Sequence, residues 1–264
     1  MTAVDTRTPS ISPTAPAHRA APIPIGRLIG VELRKLADTR AGMWLLIIIG
    51  LASVATGLIQ LFATPDDSQT FAAYFGFAQL PAGILLPVLG ILSMTSEWSQ
   101  RTALTTFTLV PQRGRVLAAK LLAAAAIAVV AAACTVAFAA VFNLIGSGLG
   151  GDGSWSIGWQ VVAQCVLMQV LYVLMGSAFG ALLMNTPVAI VGFFALPMVW
   201  TILGSVITSL QKASAWLDIN TTTGPLTEHA LTGGEWSRLG VSAAVWVLVP
   251  LVAGAFRMLR REVS

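Results

Sequence analysis

The sequence predicts an all-α integral membrane protein. Six transmembrane helices follow an N-terminal interfacial amphipathic helix, and a short cytoplasmic coupling helix separates spans two and three. Three observations predict this. Of the 264 residues, 56% are hydrophobic and only 10% are charged, whereas about a quarter are charged in a typical soluble domain. The apolar residues gather in six runs, each near the roughly 20 residues that cross a bilayer core. The basic residues fall almost entirely on one side of those runs, as cytoplasmic segments of a membrane protein require.

Residues 1–24 are rich in Pro, Ala, Ser and Thr, lack periodicity and read as a disordered cytoplasmic tail. The first apolar run starts only after Gly42, too late for a secretory leader. Residues 25–42 read as the interfacial helix. On a helix, Ile25, Leu28, Ile29, Leu33 and Leu36 share one side, and Arg27, Arg34, Lys35 and Asp38 the other. A basic amphipathic helix before a span lies in the membrane interface. Glu32 and Arg40 break the pattern, because they sit within or beside the apolar stripe. They read either as side chains snorkelling to the headgroups or as polar contacts with the cytoplasmic loop or a partner.

Span one covers about 43–63, with Trp44 as its interface anchor. An acidic turn at 64–68 leads to span two, about 71–95, with Pro81 and Pro87 inside it. Prolines are tolerated in membrane helices where neighbours satisfy the freed carbonyls, and they commonly kink the helix. Next comes SEWSQRTALTTFTLVPQRGRVLAAK, residues 96–120, a polar stretch with clustered base at Arg101, Arg113, Arg115 and Lys120. It reads as a cytoplasmic loop. From Glu97 to about Thr108 it suits one short helix, which ends before Pro111. Its threonines lower helical propensity, so that helix needs a surface to pack on.

Span three, about 116–145, is rich in alanine, and small residues let helices approach closely in lipid. A Gly and Ser loop at 146–158 ends at Trp155 and Trp159, which suit an aromatic belt. Span four covers about 159–184. After the turn at Asn185, Thr186 and Pro187, span five covers about 188–210. The polar segment 211–238 is expected on the outer surface. Span six covers about 239–256, and Arg257, Arg260 and Arg261 follow it. Outside the tail, eleven Lys and Arg residues fall on the side of the termini and two, Lys212 and Arg238, on the other. Both termini and the 96–120 loop are therefore expected in the cytoplasm.

Several function classes lack their residues. No ionisable side chain sits in the middle of a span, where ion-coupled carriers and pumps carry them. There is no Ser/His/Asp set, no HExxH and no GxxxxGK[ST] phosphate loop. The chain is therefore not expected to be an enzyme or to bind ATP itself. Cys134 and Cys165 lie in apolar runs and read as small buried thiols, with no metal site. His229 stands alone in an external loop and reads as solvated. No basic face is interleaved with stacking aromatics, so nucleic acid is not an expected partner. The polar span residues are Asn143, Gln160, Gln164 and Gln169. They read either as interhelical hydrogen bonds worth about 1 kcal/mol each or as the lining of a translocation path. The uncharged interior points to an amphiphilic or hydrophobic cargo.

Two stretches resemble the permease subunits of type-two ABC exporters, the small six-span kind common in actinobacteria. The first is VELRKLADTRAGMW, residues 31–44, where the family has a Glu, a following Lys and an Arg before the first span; Glu32, Lys35 and Arg40 match. The second is the 96–120 stretch, where Glu97, Thr102, Pro111, Arg113, Arg115 and Lys120 match the family pattern and Arg101 replaces its usual Gly. The resemblance implies two permease subunits, identical or different, paired around a central path in the bacterial cytoplasmic membrane, in contact with its lipid. It implies that each loop helix docks in a groove of a separate ABC ATP-binding subunit. That subunit holds ATP and Mg, and this chain needs no cofactor. Glu97, Arg101, Thr102, Arg113 and Arg115 would make the polar contacts, with Trp98 and Phe107 as anchors. The implied function is export, and the uncharged interior points to a drug, peptide antibiotic or lipid as the cargo. A non-transport membrane scaffold or assembly factor, using the same loop to hold a cytoplasmic partner, is the alternative.

Overall fold

In the computed structural model, residues 23–99 and 112–260 are described, and every regular element among them is helical. Helix α1 (Ile25–Asp38) starts directly after Pro24, whose φ of −57° suits a helix entrance. It stops at Thr39, which is extended, with ψ 140°. The Thr39 hydroxyl then accepts a hydrogen bond from the Gly42 N–H and so caps α2 (Arg40–Ala63). The interfacial segment and span one are thus two helices joined by an elbow, not one run to residue 42. The elbow depends on Gly42: a Cβ there would lie 1.8 Å from the Leu36 carbonyl oxygen. A Gly42→Ala variant is therefore expected to force α1 off α2, and a lower unfolding temperature in detergent would register it.

The chain continues through α3 (Phe71–Ser99), α4 (Arg113–Gly148), α5 (Trp159–Leu183) and α6 (Thr186–Val206). Two short helices, α7 (Gln211–Leu217) and α8 (Ile219–Thr223), precede the last long helix, α9 (Gly233–Arg260). Six of these, α2 to α6 and α9, are long and apolar enough to cross a membrane. This is the multi-pass architecture the composition predicts. Helices α2, α3, α4 and α9 overrun the expected spans at their polar ends, whereas α6 stops at Val206, four residues short of its expected end. In particular, α3 runs unbroken through Pro81 and Pro87 to Ser99. Glu97 therefore belongs to the last turn of α3 and does not open a separate loop helix. Residues 100–111, with the rest of the expected loop helix, lie outside the described residues. So do residues 1–22 of the expected tail and residues 261–264.

The bundle is built around α3 and α5. Their contact is closest where glycines face backbone. A Cβ on Gly176 would meet the Pro87 carbonyl oxygen at 2.3 Å, and one on Gly90 the Val173 carbonyl oxygen at 2.4 Å. Gly176 and Gly180 form the small-xxx-small spacing that lets membrane helices touch. Around this pair, α4 turns a face of Ala119, Ala123, Ala128 and Ala132 inward and leaves Leu122, Val129 and Val130 exposed. Helix α9 contains one π-helical stretch, Ala244–Leu248, just before Pro250. A proline ring clashes with the carbonyl four residues earlier, and a wide turn relieves that clash.

The charges divide by end. Among the described residues, the end holding α1 and the break at 99–112 carries nine Lys and Arg residues and three carboxylates. The opposite end carries six carboxylates and two bases. At that acidic end lies the segment 211–238, which is partly helical. It folds back into the bundle through α7 and α8, burying Asp218, Ile219 and Leu226. Its apolar residues drive this, and Asp218 is satisfied there by the Thr201 hydroxyl, the Thr221 hydroxyl and the Asn220 N–H.

Candidate functional site

At the basic end, three helices bring two carboxylates and two ammonium groups together. Glu32 and Lys35 come from α1, Glu97 from the last turn of α3, and Lys120 from the second turn of α4. The Lys120 side chain is 3% exposed, Glu32 7%, Glu97 8% and Lys35 42%. Lys120 Nζ donates to Glu32 Oε2 at 2.8 Å and to the Ser93 carbonyl at 3.0 Å, and lies 3.1 Å from Glu97 Oε1. An ammonium has three protons; two of them are hydrogen-bonded here, and the Glu97 carboxylate faces the group as an ion-pair partner. Lys35 Nζ donates to Glu32 Oε1 at 2.9 Å and Glu97 Oε1 at 3.0 Å.

The cluster is electrically neutral, as burial demands. Moving an ion out of water costs several kcal/mol, and only close, well-bonded partners offset it. Burial alone would lower the Lys35 pKa, but the hydrogen bonds and charges of Glu32 and Glu97 outweigh it and hold the group above the ordinary 10.5. The sign follows from that direction. A raised lysine pKa contributes stability that is complete below its unfolded value and lost as pH rises through its folded value. A Lys35→Met variant is therefore expected to trail the wild type by a constant margin in unfolding temperature from neutral pH to about 10. The margin shrinks above 10.5, and unfolding curves in detergent across that range check it.

This cluster explains why Glu32 sits on the apolar stripe of α1. Its carboxylate points into the bundle toward Lys120, so the polar contact expected as one of two readings is made within the chain. The cluster also borders a groove of about 1060 Å³ whose walls come from α1, α2, α3 and α4, with Thr186 at the start of α6. Arg27 and Arg40 stand at this groove with Lys35, and Leu36, Leu89 and Val116 form its apolar side. Arg40 is exposed and stays apart from the ion cluster.

The other residues singled out in the sequence are dispersed. Arg113 donates to the Met258 carbonyl at 3.1 Å, at the end of α9. Arg115 donates to the Ile23 carbonyl at 2.6 Å, just before α1. Arg257 does the same for the Leu182 carbonyl at the end of α5. Guanidinium groups on helix C-terminal carbonyls meet both unsatisfied acceptors and the negative end of the dipole. Arg101, Thr102 and Phe107 lie outside the described residues, and so does the Trp98 side chain.

The span amides occupy four separate places. Asn143 donates to the Gly153 carbonyl in the loop after α4. Gln164 donates to the Leu226 and His229 carbonyls and accepts from the Leu231 N–H, pinning the folded-back segment. Gln169 donates to Gln79 across α5 and α3. Gln160 is exposed. Gln79, the Ser93 carbonyl and Gly176 are participants that the sequence reading does not single out. A lone Gln between apolar residues, and the Gly176–Gly180 spacing, are the signals that point to two of them. No protein-family model matches this chain, and no curated protein does.

Proposed function

We propose that this chain is the membrane-spanning permease subunit of an ABC exporter of the type-two kind. It works with a second permease subunit and a separate ATP-hydrolysing subunit, which binds ATP and Mg. The basic end faces the cytoplasm, in keeping with nine bases there against two at the other end. The interfacial helix is α1, and the partner engages the connection between α3 and α4.

The observation that supports this reading is the four-residue ion cluster. Glu32, Lys35, Glu97 and Lys120 come from the two stretches that carry the family resemblance, and they converge from three helices on one buried site. That site joins α1 to both helix ends flanking the proposed docking connection. A force applied to the connection reaches α1, α3 and α4 together, because packed elements move between discrete arrangements and do not deform smoothly. The cargo is amphiphilic or hydrophobic, and the chain itself carries out no chemistry.

Purification from the native membrane in mild detergent tests the reading. An ATP-hydrolysing subunit is expected to accompany the wild-type chain and to be lost from an Arg101→Ala, Phe107→Ala variant that still folds. A folded wild-type chain that never retains such a subunit would favour the scaffold reading.

A further inference from the structure

A second cavity lies between α3 and α5, toward the acidic end. It has a volume of about 490 Å³, within the range of roughly 300–1,000 Å³ for small-molecule sites. One stripe of α3 forms a wall: Ala72, Gly76, Gln79 and Gly83, at helical spacing. At Gly76 and Gly83 an added Cβ would meet nothing within 4 Å, so the cleft is open along that wall.

Two observations point to what fills it. Gln79 is 6% exposed and lines the cleft; its Oε1 accepts from Gln169, and its Nε2 finds no acceptor but the weak one of the neighbouring Cys165 thiol. A buried amide donor without a strong acceptor is unfavourable, and a ligand carbonyl would supply one. At the mouth stands the exposed carboxylate of Glu228, on the end of the molecule where carboxylates outnumber bases six to two among the described residues. The apolar surface between them comes from Phe75, Leu80 and Ile84.

We infer that this cleft binds a cationic amphiphile, with its ammonium at Glu228, its chain along α3 and α5, and a hydrogen-bond acceptor on the Gln79 amide. That such a molecule is cargo rests on the permease reading. Its binding needs neither ATP nor a partner, so failure here leaves that reading standing.

Equilibrium binding of labelled dodecanoylcholine to the full chain in phosphatidylcholine nanodiscs tests the inference, with empty nanodiscs as the partition control. That probe supplies the cation, the chain and an ester carbonyl. Saturable binding is expected, and dodecyl sulfate, with a chain of the same length and the opposite charge, should not displace it. Gly83→Leu places its side chain in the open cleft and should abolish the saturable component. Glu228→Gln should weaken binding by about threefold, the scale of one exposed charge contact. Both positions have room or solvent around them, and unchanged unfolding temperatures would confirm that the variants fold. Three results would each overturn the inference. They are no saturable component, equal displacement by dodecyl sulfate, which would make the cleft a plain lipid groove, and unchanged binding in Gly83→Leu.

Discussion

Replacing Lys120 with methionine is expected to destabilise the protein by about 3–5 kcal/mol, the cost of removing one partner from a buried ion cluster. Methionine fills a similar volume, so the loss is electrostatic and not a cavity. Glu32 Oε2 and the Ser93 carbonyl lose their donor, and Glu97 keeps only the half-exposed Lys35. Unfolding followed by tryptophan fluorescence in detergent should show a drop on the order of 10 °C for a chain of this size. A matched change gives the control. In Lys120→Met with Glu32→Gln, one charge of each sign is gone and the Lys35–Glu97 pair remains, so more than half of the loss should return. A single Lys120→Met variant that loses under about 1 kcal/mol would mean that the cluster is not held as a closed unit.

Gly176→Leu is expected to have an effect of similar size at the centre of the bundle. Even a Cβ at this position falls 2.3 Å from the Pro87 carbonyl oxygen, and that neighbour is backbone, which cannot rotate away. Helices α3 and α5 must separate, which also displaces the contact of Gly180 with the Ile91 carbonyl. Overpacking costs typically about 1–3 kcal/mol and more where backbone must move. The variant should therefore unfold early and elute as a broad peak in detergent. Gly240→Leu on α9, where a Cβ meets nothing within 4 Å, should leave both properties unchanged. Equal behaviour of the two variants would remove the special role of the α3–α5 contact.

The sequence carries much of this. The six apolar runs become six long helices because each is long enough to cross a bilayer core. Glu32 was legible as an anomaly, a carboxylate on the apolar stripe of α1, and Lys120 as a base at the mouth of an alanine-rich run. Their pairing was not legible. It depends on the angle at which α1 meets α2, which is set by Gly42 pressing on the Leu36 carbonyl, a contact between backbones that no side-chain pattern encodes. The extension of α3 to Glu97 was hidden for a related reason. A glutamate after an apolar run reads as the start of a loop unless its buried partners are known. The packing of segment 211–238 on the bundle is hidden by composition: its many polar residues mask Ile219 and Leu226, and Gln164 holds it from a helix far away in sequence. The proposed docking residues divide similarly. Arg113 and Arg115 reach carbonyls of this same chain, contacts that only the folded arrangement of chain ends can create.

The permease reading places the coupling of a partner's ATP turnover to the spans in the cluster at Glu32, Lys35, Glu97 and Lys120. The most direct measurement is ATP hydrolysis by the complex in nanodiscs, comparing the wild type with the charge-balanced Lys120→Met, Glu32→Gln variant. That variant removes the tie between α4 and α1 while leaving the cluster neutral. With folding and partner retention equal in the two proteins, turnover is predicted to fall at least about tenfold in the variant, a change of about 1.4 kcal/mol in the rate barrier. A folded, partner-bound variant that hydrolyses ATP at the wild-type rate would show that the cluster does not carry the coupling.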